Sequence, residues 1–239
     1  MPPLSLAPGI TRIPTAKNNN AFLVEGDDGL TLIDAGMAKA PNLLLAALAE
    51  QGHPPTDLRR IVLTHAHPDH VKGAPGLRRR TGAQILIHRA DANWLPAGRV
   101  PPEGRCRPIG RLLDRLPIAH WPTFEADALL DDGELIEGSG GLRVIHTPGH
   151  TPGHIVLLHE PTRSVLAGDA VFNQGRLSLG HDMLAAAPAS RPASVARIPD
   201  TVTAVGFAHG EPILADGIDT FHAFLRAQRS TSSKRTNTA

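Results

Sequence analysis

Three histidines and an aspartate crowd into the segment HAHPDH, as His65, His67, Asp69 and His70. Each of these side chains can bind a metal or carry a proton. If the chain enters extended, the alternating spacing puts His65 and His67 on the same side. Pro68 ends the strand, and Asp69 and His70 then enter the turn that starts a helix. Imidazole with carboxylate suits zinc, and also iron or manganese. A second stretch, HTPGHTPGH over 146–154, carries TPGH twice. Its Pro-Gly pairs exclude a helix interior, so this is a bent loop that presents His146, His150 and His154. Two further candidates stand at strand ends, Asp169 in LAGDAVF and His209 in VGFAHG. Singly they are weak signals, because Gly-Asp after a strand is usually only a turn.

Strands must deliver these groups. Residues 21–36 read as a hairpin closed at Asp28-Gly29, followed by a helix over 40–52 with Pro41 in its first turn. An apolar strand over 61–63 leads into the histidines, and a short helix over 73–82 precedes a strand over 83–88. The pattern loosens over 89–129, an inserted arm that holds Trp94, Trp121, Cys106 and one short helix near 109–116. Strands are expected at 134–138, 142–147, 154–160, 164–172 and 202–210, then a helix over 216–228. Residues 1–229 form one domain, and the polar tail 230–239 is expected to be disordered. Strand-rich halves, each closed by helices, indicate a layered α/β sandwich with its motifs in strand-end loops.

These motifs, in this order, resemble the metallo-β-lactamase-fold hydrolase superfamily, in its glyoxalase II and lactonase-like branch. The resemblance implies a four-layered αββα sandwich with a metal pair between the sheets. It implies that His65, His67 and His150 hold one metal, that Asp69, His70 and His209 hold the second, and that Asp169 bridges them. The cofactor expected is therefore two divalent ions, zinc first, with manganese or iron as alternatives. The metals would generate a bridging hydroxide, and Asp69 would orient it and pass its proton to the leaving group. His154, which opens the next strand, is expected to support the ligands, and His181 and Trp94 are weaker candidates for substrate contact.

Composition bounds the alternatives. The chain has 239 residues, a formal net charge of +1 and 20% charged residues, which gives no general case for nucleic acid or an acidic membrane. No apolar run is long enough to span a membrane, the N-terminus lacks a signal-peptide pattern, and the chain is expected in the cytoplasm. Cys106, the single cysteine, excludes an internal disulfide, and no GxSxG motif supplies a serine nucleophile. The expected substrate is a small molecule with an ester, thioester or lactone bond. Zinc β-lactamases lack an equivalent of Asp169, a typical glyoxalase II carries a helical C-terminal domain that the 30 residues after His209 are not expected to supply, and lactonases place a tyrosine that this chain does not contain. A mononuclear iron sulfur dioxygenase using His65, His150 and Asp169 is the main alternative, ahead of a nuclease or a non-catalytic binding module. The 89–129 arm is a candidate lid or homodimer contact, with Trp94, Leu95, Leu112 and Leu113 favouring an apolar substrate.

Overall fold

Alternation of apolar side chains along the strands decides the layering. In the computed structural model, which describes residues 3–236, these strands form two stacked sheets. The first contains seven strands in chain order among the described residues: β1 (Leu4–Ala7), β2 (Ile10–Ala16), β3 (Asn19–Glu25), β4 (Leu30–Ile33), β5 (Leu58–Leu63), β6 (Gln84–His88) and β7 (Ala128–Leu130). It is antiparallel as far as β4 and parallel from β4 to β7. Next come β8 (Leu142–His146), β9 (Ile155–His159), β10 (Ser164–Leu166), a ribbon of β11 (Phe172–Asn173) with β12 (Leu177–Ser178), and β13 (Ala204–Gly206). The second sheet runs in the order β13-β10-β9-β8.

Neighbouring residues on a strand bury on opposite faces. Phe22, Val62 and Leu86 turn inward to meet Val144, Ile155 and Leu157 of the second sheet. Leu23, Ile61, Leu63, Ile85 and Ile87 turn outward under α1 (Ala40–Glu50), joined by Val71 of the short α2 (Pro68–Val71) and Leu77 of α3 (Ala74–Thr81). The arm contributes α4 (Arg89–Ala92), α5 (Trp94–Ala97) and α6 (Pro108–Leu113). On the far side Val156, Leu158, Val165 and Val205 lie under α7 (Arg191–Val195) and α8 (Ile218–Thr236). The result is the αββα sandwich.

Several elements differ from the sequence expectation. The N-terminal stretch, read only for targeting signals, forms β1 and β2 as the sheet edge. Residues 134–138 make a single bridge, Leu135 to Arg143, in place of a strand. The strand expected over 164–172 stops at Leu166, because Gly168 turns in the left-handed region (φ 50°) and swings Asp169 out of the sheet. The last helix continues to Thr236 where disorder was expected from residue 230. No glycine or proline follows Gly217, and the Ser230 and Thr231 hydroxyls donate to the carbonyls of Arg226 and Ala227. Residues 237–239 of the expected tail lie outside the described residues. No helix among the described residues is long and apolar enough to cross a membrane.

Candidate metal centre

Loops at one edge of the sandwich carry the donors. β5 leads directly into Thr64 and His65, the β8–β9 loop presents His150, the turn after β10 presents Asp169, and the chain beyond β13 presents His209. The donor atoms gather in two groups, each within 4.8 Å across, one of His65, His67, His150 and Asp169 and one of Asp69, His70 and His209.

In the first group, His67 Nδ1 stands 2.9 Å from His65 Nε2 and 2.8 Å from His150 Nε2. Asp169 Oδ2 lies 3.2 Å from His150 Nε2 and 4.0 Å from His65 Nε2. The other oxygen of Asp169 faces the second group, with Oδ1 at 3.4 Å from His70 Nε2 and 3.3 Å from His209 Nε2. Asp69 Oδ2 lies 3.2 Å from His209 Nε2 and 3.7 Å from His70 Nε2. His70 Nε2 and Asp169 Oδ1 are buried with no hydrogen-bond partner among the described residues. Orphaned buried polar atoms are costly, and nitrogen lone pairs converging beside carboxylate oxygens are what a divalent cation requires. The donor set fits divalent metal.

The surrounding bonds fix ring orientation and protons. Asp34 accepts from His70 Nδ1 at 2.8 Å and from the Thr64 amide and hydroxyl, and Thr64 Oγ1 in turn faces His65 Nδ1 at 3.1 Å. His209 Nδ1 donates to the Asn18 carbonyl at 2.7 Å. All three rings thereby aim Nε2 into the centre, an orienting role common around metals. His67 is the exception. Arg105 Nη1 donates to its Nε2 at 2.6 Å, which leaves the His67 proton on Nδ1, so coordination through Nδ1 needs Arg105 to release the ring.

The electrostatics of the two groups differ. Burial holds His65, His67 and His150 below the usual imidazole range; neighbouring imidazoles add to this at His65, and Arg105 adds to it at His67 and His150. Burial also opposes charge on His70 and His209, but at His70 the Asp34, Asp69 and Asp169 carboxylates outweigh it and push the pKa up to about 9. At His209, Asp169 and Asp69 do the same and push it up to about 11. One group thus offers neutral lone pairs, and the other demands positive charge.

His154 supports the site without joining it. Its Nε2 accepts from the Asp169 amide at 2.9 Å, while Nδ1 bonds Thr147 Oγ1 at 2.8 Å. Gly168 must be glycine here, since a Cβ would stand 2.8 Å from that same Nε2. His146 bonds the Pro152 carbonyl and stacks on His88, outside the donor groups.

A cavity of about 680 Å³ opens over the donors, lined by Asp69, Phe172, His181 and part of the arm. His181 is placed as expected. Trp94 is not: it is 6% exposed in the outer core, against Val100 and Gly104, and lines no part of this cavity. Its large ring finds more burial under the arm than at a cleft. Leu95 is likewise fully buried, whereas Leu113 does face the cleft.

Three supporting residues were absent from the sequence reading. Asp34 follows β4 directly in LIDAG with φ 63°, a conformation Asp tolerates, and an acid just past an apolar strand is the same signal that marks Asp169. Asp91 and Arg105 lie in the arm, where no local pattern marks them. Asp91 accepts from the Ala66 amide at 3.0 Å, the Thr151 hydroxyl at 2.6 Å and the Gly153 amide at 2.6 Å. It ties the loop holding His65 and His67 to the loop holding His150. Arg105 is paired through both Nε and Nη2 with Asp114, at 2.8 and 2.9 Å.

Comparison with known proteins places this geometry. A family model described as the metallo-beta-lactamase superfamily matches residues 14–209. A hydroxyacylglutathione hydrolase of Fuscovulum blasticum is 33% identical over 172 residues, which is 71% of this chain and 54% of that protein. A probable metallo-hydrolase of Bacillus subtilis is 29% identical over 157 residues, covering 65% of this chain and 67% of that one. The chain spans about half the length of the hydroxyacylglutathione hydrolases it matches. In fold it is similar to BJP-1, a subclass B3 metallo-beta-lactamase of Bradyrhizobium japonicum, with TM-score 0.72 and 19% identity over 99% of this chain and 95% of that one.

Proposed function

The chain belongs to the metallo-beta-lactamase superfamily, and from that premise we propose that it is a hydrolase that holds two divalent cations and cleaves an ester, thioester or lactone in a small molecule. One observation carries the reading: Asp169 turns one carboxylate oxygen to each of two separate donor groups. A single-metal site has no use for that arrangement. The hydrolase names of the relatives support the reaction class. In this reading His65, His67 and His150 hold one cation, Asp69, His70 and His209 hold the other, and Asp169 serves both.

Cations bound there would lower the pKa of an intervening water toward neutrality and draw charge from the substrate carbonyl. The residues of the chain supply the rest. Burial opposes ionisation of Asp69, but His70 and His209 outweigh it and hold the carboxyl below its usual range. Asn19 Nδ2 donates to Asp69 Oδ2 at 3.3 Å, and Asp69 lines the cavity. Asp69 is thereby an ionised base that accepts a proton from the attacking water and returns it to the leaving atom as the acyl bond breaks.

Elemental analysis of freshly purified, untagged protein tests this, together with a panel of thioesters, esters and lactones. Two zinc or manganese ions per chain, with turnover of a panel member, are expected. One iron per chain and no hydrolysis overturns the reading in favour of the dioxygenase.

A further inference from the structure

The cavity over the donors has two unlike walls. One comes from the arm, where Leu113, Leu116 and Ile118 face the cleft. The other comes from the ribbon and the segment after it, where Gln174, Arg176 and His181 face it. Five of the eleven large apolar side chains exposed among the described residues fall between Ile109 and Ile118, with Leu116 at 49% and Ile118 at 66%. Scattered exposed apolar residues need no explanation, but a cluster beside a polar site does.

This wall is held in place. Arg105 is 4% exposed and paired twice with Asp114, and its Nη1 reaches the Leu184 carbonyl. The Cys106 amide donates to the Ala185 carbonyl at 2.9 Å, and Lys72 Nζ donates to the Ile118 carbonyl at 3.0 Å. Gly110 sits so close to the Met183 carbonyl that a Cβ would be 2.2 Å from it. The apolar side chains are therefore presented at the cleft by a tethered segment.

Resting on the hydrolase reading above, we infer that the substrate is an ester or thioester with an apolar, unbranched acyl chain, seated along Leu113, Leu116 and Ile118 while its polar leaving group lies along the ribbon. The reaction is plain hydrolysis. A bond forms from the water oxygen to the acyl carbon, the bond to the leaving sulfur or oxygen breaks, and the leaving group takes up the proton, giving a carboxylic acid and a thiol or alcohol. No other reactant is needed.

A methylene moved fully from water to an apolar wall gains about fourfold in affinity, so a half-open groove yields about twofold for each. The test uses N-acetylcysteamine thioesters from acetyl to decanoyl, with kcat/KM rising about twofold per methylene in the wild type. The double variant Leu116→Ser with Ile118→Ser changes two exposed side chains, and is expected to lower the octanoyl-to-acetyl ratio about tenfold. Leu43→Ser on α1, at a leucine 50% exposed away from the cleft, leaves that ratio unchanged. Calorimetric binding of the carboxylates from acetate to decanoate reads the same slope without turnover. Binding that strengthens with chain length and flattens in the double variant supports the acyl groove even if no thioester is cleaved, and only failure of the whole panel of thioesters, esters and lactones would then sink the hydrolase reading. Rates and binding indifferent to chain length, or a slope the double variant leaves intact, overturn the groove and leave the hydrolase standing.

Discussion

Asp169 is the residue on which both donor groups depend, because each takes one of its oxygens. In Asp169→Asn one of those oxygens becomes a donor that repels a cation. The variant is expected to bind about one metal or less per chain, and kcat/KM should fall at least about a hundredfold, since losing even an orienting partner costs up to that much. Elemental analysis beside kinetics reads both. The titration of His70 makes a second prediction at this scale. Its pKa is about 9 in the folded chain against about 6.5 unfolded. A group raised on folding stabilises fully below its unfolded pKa and loses that contribution as pH rises through the folded value. In metal-free protein His70 alone should therefore cost on the order of 3 kcal/mol between about pH 6.5 and 9, or roughly 6–12 °C in Tm, and His209, raised to about 11, adds a loss of the same sign over that window. Scanning calorimetry after chelation measures it. Metal-loaded protein should show little of this slope, because a cation bound there would replace the protons on His70 and His209.

The connecting elements do what no single ligand can. The loop after β5 and the β8–β9 loop belong to different sheets, and Asp91 at the start of the arm holds them together through three hydrogen bonds. Asp91→Ala leaves the Ala66 and Gly153 amides without that partner in a buried place. It is expected to weaken metal binding at the group of His65, His67 and His150 by about 10–100-fold, with less effect at the other group. Asp91→Asn, which keeps a carbonyl oxygen but adds a donor, should fall between. Competition with a chromophoric chelator would distinguish binding at the two donor groups. The arm itself divides by length: its root is anchored by Trp94 and by Trp121, whose Nε1 donates to the Leu95 carbonyl at 3.1 Å, and its tip reaches the cleft. Composition could not separate these parts, because tryptophan and leucine are equally suited to a core and to a pocket.

One of the three buried clusters lies between the sheets, at a distance from the chemistry. Leu157 is fully buried there among Phe22, Val62 and Leu142. Leu157→Ala should cost about 2–5 kcal/mol in urea unfolding while metal content per folded chain stays unchanged. The separation explains what was legible in the sequence. Strand-rich halves closed by helices indicated a layered α/β sandwich, and the resemblance carried by the motifs implied its two sheets. The motif around His65, the TPGH loop, Asp169 and His209 were legible because residue type and strand-end position travel together in the chain. Hidden from it were the placements set by contacts distant in sequence. Trp94 went to the core and not the cleft, Asp91 closed a bridge over 60 residues to Thr151, and His154 turned to the Asp169 amide. The sequence by itself determined which atoms could bind metal and that strand ends would carry them. Only the tertiary structure decided that Asp169 shares its oxygens between two groups and that one cleft wall is apolar, because both depend on where separate loops meet in space.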